Sequence, residues 1–216
     1  DFAAQTALTV YRVDAGNGRL TQVPSAFASL NGRPGSIAID PTGQFIYAST
    51  TTYPGRVYGY RFDEPAGTLT PIVDLQADAA LAMDPAGEYL YVAGAFGGLR
   101  TYRIEPTGAL TAAGTTPLVT LNGISLAVHG SGDFVYVAGN PQTYTPLALM
   151  FRLTRATGAL TEIGDPIMLP IPTSDGNTAA QVMTAAVAGN FFYAGSYNDG
   201  LRSYAIDNVS GQLYEL

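Results

Sequence analysis

The chain has 216 residues, 47% of them hydrophobic and 12% charged, with a formal net charge of −7. It contains no cysteine, one histidine and no apolar run near the length of a membrane span, which excludes disulfides, thiolate–zinc sites, iron–sulfur clusters, thiol catalysis, two-histidine metal motifs and a membrane-spanning helix. All ten basic residues are arginine against seventeen acids, and phosphate recognition needs concentrated positive charge, so nucleic acid is not an expected partner.

In chain order, Leu8 to Val13 alternates about Tyr11 and reads as the third strand of a repeat, followed by a turn at Gly18-Arg19-Leu20. Ile37 to Asp40 and Phe45 to Ser49 form the next hairpin, around Asp40-Pro41-Thr42-Gly43. Val57 to Phe62 follows, and then a fourth strand opens at Gly67-Thr68-Leu69. The same order recurs from Leu81 to Tyr91 with a turn at Gly108-Ala109-Leu110, and from Leu126 to Tyr136 with Gly158-Ala159-Leu160. The last copy, Ala185 to Tyr193, has a shortened Gly189-Asn190 turn and reaches Gly211-Gln212-Leu213.

Successive Gly-x-Leu leucines are 49, 41, 50 and 53 residues apart, and each follows an aromatic eight or nine residues earlier: Tyr11, Tyr60, Tyr102, Phe151 and Tyr204. Four short antiparallel strands every 40 to 50 residues is the unit of a β-propeller. The expected fold is therefore all-β, a propeller of four-stranded antiparallel blades. About four and a half blades are present in a single domain: a half-blade over 1–23 and blades over approximately 34–75, 79–117, 123–166 and 182–216. The absence of tryptophan disfavours WD repeats.

The segment Gly35-Ser36-Ile37-Ala38-Ile39-Asp40-Pro41-Thr42-Gly43-Gln44-Phe45-Ile46-Tyr47-Ala48, with Val57-Tyr58-Gly59-Tyr60 and Gly67-Thr68-Leu69-Thr70 after it, resembles the lactonase-type seven-bladed propellers related to 6-phosphogluconolactonase and carboxymuconate cyclase. That resemblance implies a ring, and seven blades at this period need about 340 residues. The first expectation is thus a piece of a longer protein. A ring of about five blades and an open arc completed by another chain are the alternatives. Strand edges exposed at the ends of an arc recruit other strands, so self-association through them is expected of a true arc.

The resemblance also implies lactone chemistry on His, Arg and Glu near the channel, in motifs such as Arg-His or Glu-Ile-Arg ahead of the inner strand. Those motifs do not appear here, where the inner strands centre on Ala38, Ala82, Ala127 and Ala186. Most carboxylates fall in repeat phase: Asp14, Asp63, Glu105 and Asp207 end third strands, while Asp40 and Asp84 open turns, where aspartate bonds local N–H groups. His129 occupies the Asp40 and Asp84 phase and reads as a turn residue. Asp74, Asp78, Asp165, Asp175 and Asp199 remain as irregular loop acids, without the spacing of an acid/base pair.

Propeller geometry places the irregular loops on one face, which is where a site is expected. The candidate ligand-binding residues are Arg33 and Arg56, suited to a carboxylate or glycan, the loop aromatics Tyr53, Phe96, Tyr144 and Tyr197, suited to sugar or protein contacts, and Asp199. Asn198-Asp199-Gly200 lacks the rest of a calcium-loop pattern and reads as a turn. Asn208-Val209-Ser210 is formally a glycosylation sequon.

No catalytic residue, metal or cofactor is expected. The leading reading is a non-enzymatic, extracytoplasmic (secreted, periplasmic or cell-surface) propeller that binds a protein or glycan or takes part in assembly. A lactone hydrolase or cyclase with part of its site outside these residues, and a structural subunit of a surface fibre or layer, are the alternatives.

Overall fold

Among the described residues, alternation of apolar and polar residues between glycine turns produces nineteen strands and no helix. The computed structural model describes residues 7–52, 54–77, 80–94, 98–118, 121–141, 146–169, 182–196 and 200–216. Among these residues no helix is long and apolar enough to cross a membrane.

β1 (Ala7–Val13) and β2 (Leu20–Ser29) form a two-stranded half-blade. β3 (Pro34–Ile39), β4 (Phe45–Thr50), β5 (Arg56–Asp63) and β6 (Thr68–Gln76) pair in sequence order as the first full blade. β7 (Ala80–Met83), β8 (Tyr89–Gly94), β9 (Gly98–Ile104) and β10 (Leu110–Thr116) form the second. The third contains β11 (Leu121–Val128), β12 (Phe134–Pro141), β13 (Leu147–Thr154) and β14 (Ala159–Glu162), and the fourth β16 (Val182–Ala188), β17 (Phe191–Ser196), β18 (Gly200–Ile206) and β19 (Leu213–Glu215). Every pairing is antiparallel, and the inner strands β3, β7, β11 and β16 neighbour one another in turn. These are blades of a β-propeller.

After Asp165 the chain re-enters the third blade: β15 (Ile167–Met168) returns to β13, with Ile167 opposite Ala148. Gly164, at φ 61°, and Pro166 break β14, and Ile167 then resumes the outer edge of the blade.

Two turn chemistries fix the hairpins. In the first, Asp40 accepts from Phe45 N–H at 2.6 Å and Thr42 N–H at 3.0 Å, while its carbonyl takes Gly43 N–H at 2.9 Å. Gly87 closes the same bond to Asp84, and Gly132 to His129, at 2.8 Å each. In the second, Gly18, Gly67, Gly108, Gly158 and Gly211 all have φ between 64° and 82°, a left-handed conformation that favours glycine.

The core is divided among the gaps between blades. In β4, Ile46 and Ala48 pack toward the half-blade with Leu8 and Tyr60, while Tyr47 turns to the second blade with Val57, Leu90 and Val92. Successive gaps are filled by Tyr91, Leu99, Val135 and Phe151, and then by Tyr136, Met150, Phe192 and Tyr204. Each blade therefore buries both of its faces only when it stands between two others.

Candidate functional site

Two predicted site residues lie within the described structure. Arg33 sits just before β3 and is exposed, and its backbone N–H donates to Thr52 Oγ1 at 2.8 Å. Arg56 opens β5 opposite Thr50, and Thr50 also pairs with Pro34, so both arginines stand at the irregular end of the first full blade. Arg56 is already engaged: Nε donates to Asp74 Oδ1 at 2.7 Å, and its guanidinium lies 5.9 Å from the Tyr58 ring centroid. Asp74 is itself a strand residue, in β6 opposite Tyr58, rather than the loop acid the sequence suggested. Tyr53, Phe96, Tyr144, Tyr197 and Asp199 lie outside the described residues, as do Asp78 and Asp175.

The repeat-phase acids serve their turns. Asp14, Asp40, Asp63 and Asp207 each accept local backbone N–H groups. Asp207 takes Ser210 N–H, Val209 N–H and the Ser210 hydroxyl, which hold its carboxyl below the usual carboxylate value. His129 is buried, and its Nδ1 accepts Ser131 N–H at 3.3 Å and pairs with Ser131 Oγ at 3.0 Å. That leaves its Nε2 buried without a partner.

Arg155 escaped the sequence reading. It reaches from the third blade to the second, with Nη2 3.4 Å from Asp84, Nη1 3.3 Å from Glu88, Nε 3.4 Å from Asp133, and a 2.9 Å bond to the Ser131 carbonyl. Its own carbonyl accepts the Tyr89 hydroxyl. Partial burial works against the guanidinium charge, but Asp84 and Asp133 outweigh it and raise its pKa. A Cβ at Gly132 would run into Arg155 Nη2 and Asp84 Oδ1, so only glycine leaves this network its space. The available signal was the repeat itself, because this blade carries His129 where the two blades before it have Asp40 and Asp84, and Thr154, followed by Arg155, where the other blades have Asp63, Glu105 and Asp207.

Described residues of the regular face line two clefts. One of about 520 Å³ is lined by Thr42, Gln44, Arg61, Asp63 and Glu64, and one of about 280 Å³ by Asp40, Phe45, Glu88, Arg103 and Glu105. Arg103 is occupied there, stacked 5.2 Å from the Tyr89 ring centroid and donating to its hydroxyl at 2.8 Å. Among the described residues no group of three or more His, Asp or Glu is arranged to hold a metal.

No protein-family model matches the chain, and no curated protein matches it. Solved structures do. A candidate 6-phosphogluconolactonase of Bacteroides uniformis superposes with a TM-score of 0.75 at 14% identity, over 97% of this chain and 63% of its own. The periplasmic gluconolactonase of Pseudomonas aeruginosa gives 0.73 at 17% identity, over 97% and 62%. Sqt1 of Chaetomium thermophilum, bound to the N-terminus of a ribosomal protein, gives 0.64 at 15% identity, over 97% and 55%. The fold is therefore a β-propeller of the kind seen in these lactonases. The chain spans less than two thirds of the length of these neighbours.

Proposed function

We propose that this chain is a non-enzymatic binding or assembly module of an extracytoplasmic β-propeller, with protein or glycan ligands bound on its irregular face. The supporting observation is that several groups hydrolysis could use are already engaged. His129 is buried in a turn, Asp14, Asp40, Asp63 and Asp207 accept backbone N–H groups, and Asp74, Asp84 and Asp133 are paired with arginine. Arg33 is by contrast exposed, at the same end of the blade as Arg56. A guanidinium suits a carboxylate-bearing partner, whether an acidic peptide or a uronic-acid glycan, and Tyr53, Phe96, Tyr144, Tyr197 and Asp199 are proposed as further contacts. The composition without lysine and the fold shared with a periplasmic gluconolactonase support the extracytoplasmic reading.

Arrays of acidic peptides and of uronic-acid glycans test it. Capture of a defined subset that is lost in Arg33→Ala is the expected result, and equal capture by both proteins contradicts a role for this end of the blade. The second reading is a lactone hydrolase, favoured by the fold shared with lactonases. Turnover of a sugar lactone would establish it.

A further inference from the structure

Arg155 has no counterpart one gap earlier, between the first and second full blades, and that gap holds an open cleft. The turn between third and fourth strands is Thr154-Arg155-Ala156-Thr157-Gly158 in the third blade and Glu105-Pro106-Thr107-Gly108 in the second, one residue shorter. Gly158 N–H accordingly bonds the Thr154 carbonyl, and Gly108 N–H the nearer Glu105 carbonyl. Proline thus stands in the second blade where arginine stands in the third.

The surroundings of the arginine are nevertheless kept. Arg155 lies among Asp84 and Glu88 of the preceding blade and the Ser131 carbonyl and Asp133 of its own. In repeat phase these correspond to Asp40, Gln44, Ala86 and Glu88 of the earlier gap. Asp40, Ala86 and Glu88 line its cleft of about 280 Å³, with Glu105 and Pro106 beside them. The gap between the third and fourth blades loses acid and cation together, since His129 stands for the aspartate and Asn208 for the arginine. Of the three gaps between full blades, the first alone keeps the acid and lacks the cation.

The acids of this cleft have capacity to spare. Asp40 Oδ2 accepts Thr42 N–H and the Thr42 hydroxyl, but Oδ1 accepts only Phe45 N–H, which leaves it a lone pair, as Asp84 Oδ1 has for Arg155. Glu105 has no side-chain partner among the described residues, and Glu88 is half exposed while it touches Arg155. Arg103 also borders the cleft but is stacked on Tyr89 and bonded to its hydroxyl. Phe45, Ile104 and Pro106 supply an apolar side.

We propose that this cleft binds the side chain of an arginine presented by a partner protein, its guanidinium taking the place that Arg155 takes one blade on and its methylene stem lying along Phe45, Ile104 and Pro106. The occupant follows from the repeat, because the same acids in the next gap hold a guanidinium. A guanidinium spans several acceptors at once, whereas an ammonium is a single compact charge. A residue within a peptide chain fits better than free arginine, whose α-carboxylate would bring a like charge to Glu88 and Glu105. Both blades that wall the cleft have all four strands. The cleft lies at the opposite end of β3 from Arg33, so binding here and binding there can fail independently.

A chemical-shift titration of the protein at its full natural length with Nα-acetyl-argininamide tests it. Saturable shifts are expected at the amides of Ala86, Gly87, Glu88 and Glu105. Glu105→Gln, with folding confirmed by circular dichroism, weakens binding about tenfold, the effect of losing one charged hydrogen-bond partner. Nα-Acetyl-lysinamide and free arginine both bind the wild type more weakly than the arginine amide, and these two comparisons decide the matter even if the variant does not fold. Absence of saturable shifts, shifts spread evenly over the acidic surface, or equal binding of the lysine compound overturns the proposal. Equal binding of free arginine overturns the assignment to a partner protein, and undiminished binding by folded Glu105→Gln overturns the placement in this cleft.

Discussion

The hydroxyl of Tyr136 donates to the carbonyl of Gly211 at 3.0 Å across the gap between the third and fourth blades, joining residues 75 positions apart. Tyr47 makes the same bond to Gly108, but Tyr91, at the equivalent place in the second blade, is buried with its hydroxyl unpartnered. A buried hydroxyl with a partner stabilises, and one without a partner costs desolvation. Tyr136→Phe is therefore expected to lower unfolding free energy by about 1 kcal/mol, while Tyr91→Phe is neutral or stabilising. Urea denaturation of the two variants checks this, and equal losses would contradict it.

Arg155 ties the second blade to the third through Asp84, whose side chain is fully buried. Arg155→Met leaves that carboxylate without its cation. The expected loss is about 2 kcal/mol, less than for a fully buried pair because the arginine is 36% exposed. Asp84→Asn in the same chain recovers part of the loss, and a double-mutant cycle measures the coupling. Additive losses would show that the pair is not coupled.

Acid sensitivity has an identifiable contributor in Asp207. Its folded pKa is depressed by Ser210 and Val209 N–H groups, so the stability it contributes is present above the ordinary value of 3.8 and is lost as pH falls through the folded value. Asp207→Asn should flatten the stability profile below pH 3.8 relative to wild type. Profiles that stay parallel below that pH would assign the acid loss elsewhere.

Alkaline behaviour has the opposite sign. Burial raises the pKa of Tyr47, and Asp40 adds to the rise; burial likewise raises Tyr91 and Tyr136. The unfolded chain ionises these phenols near pH 10 and the folded chain does not, so stability is lost as pH climbs above 10. Tyrosinate absorbance should show a fraction that ionises only together with unfolding. Ionisation of all fourteen tyrosines before unfolding would contradict the interblade packing.

The blades were legible because their determinants are local. Alternation over five or six residues, aspartate at a turn and glycine at positive φ all lie within one hairpin, and Asp40 to Phe45 can be read without knowing what packs above it. Arg155 could not be read this way. Its partners Asp84, Glu88 and Asp133 come from turns on two blades, up to 71 residues away, and only the ring-like stacking brings them together. Asp74 was misplaced for a related reason: Pro71 falls at a register shift in β6, which looks like a strand end in sequence but continues as far as Gln76. Of the candidate ligand residues, the structure describes Arg33 and Arg56, and it adds the Asp74 pairing that the sequence did not suggest.

The most direct test of the binding reading against the hydrolase reading is sugar-lactone hydrolysis, followed by acid release in a pH-stat with the protein at its full natural length, purified from its source, at neutral pH. The account predicts a rate equal to the buffer rate at every protein concentration. Saturable turnover that scales with protein would contradict it.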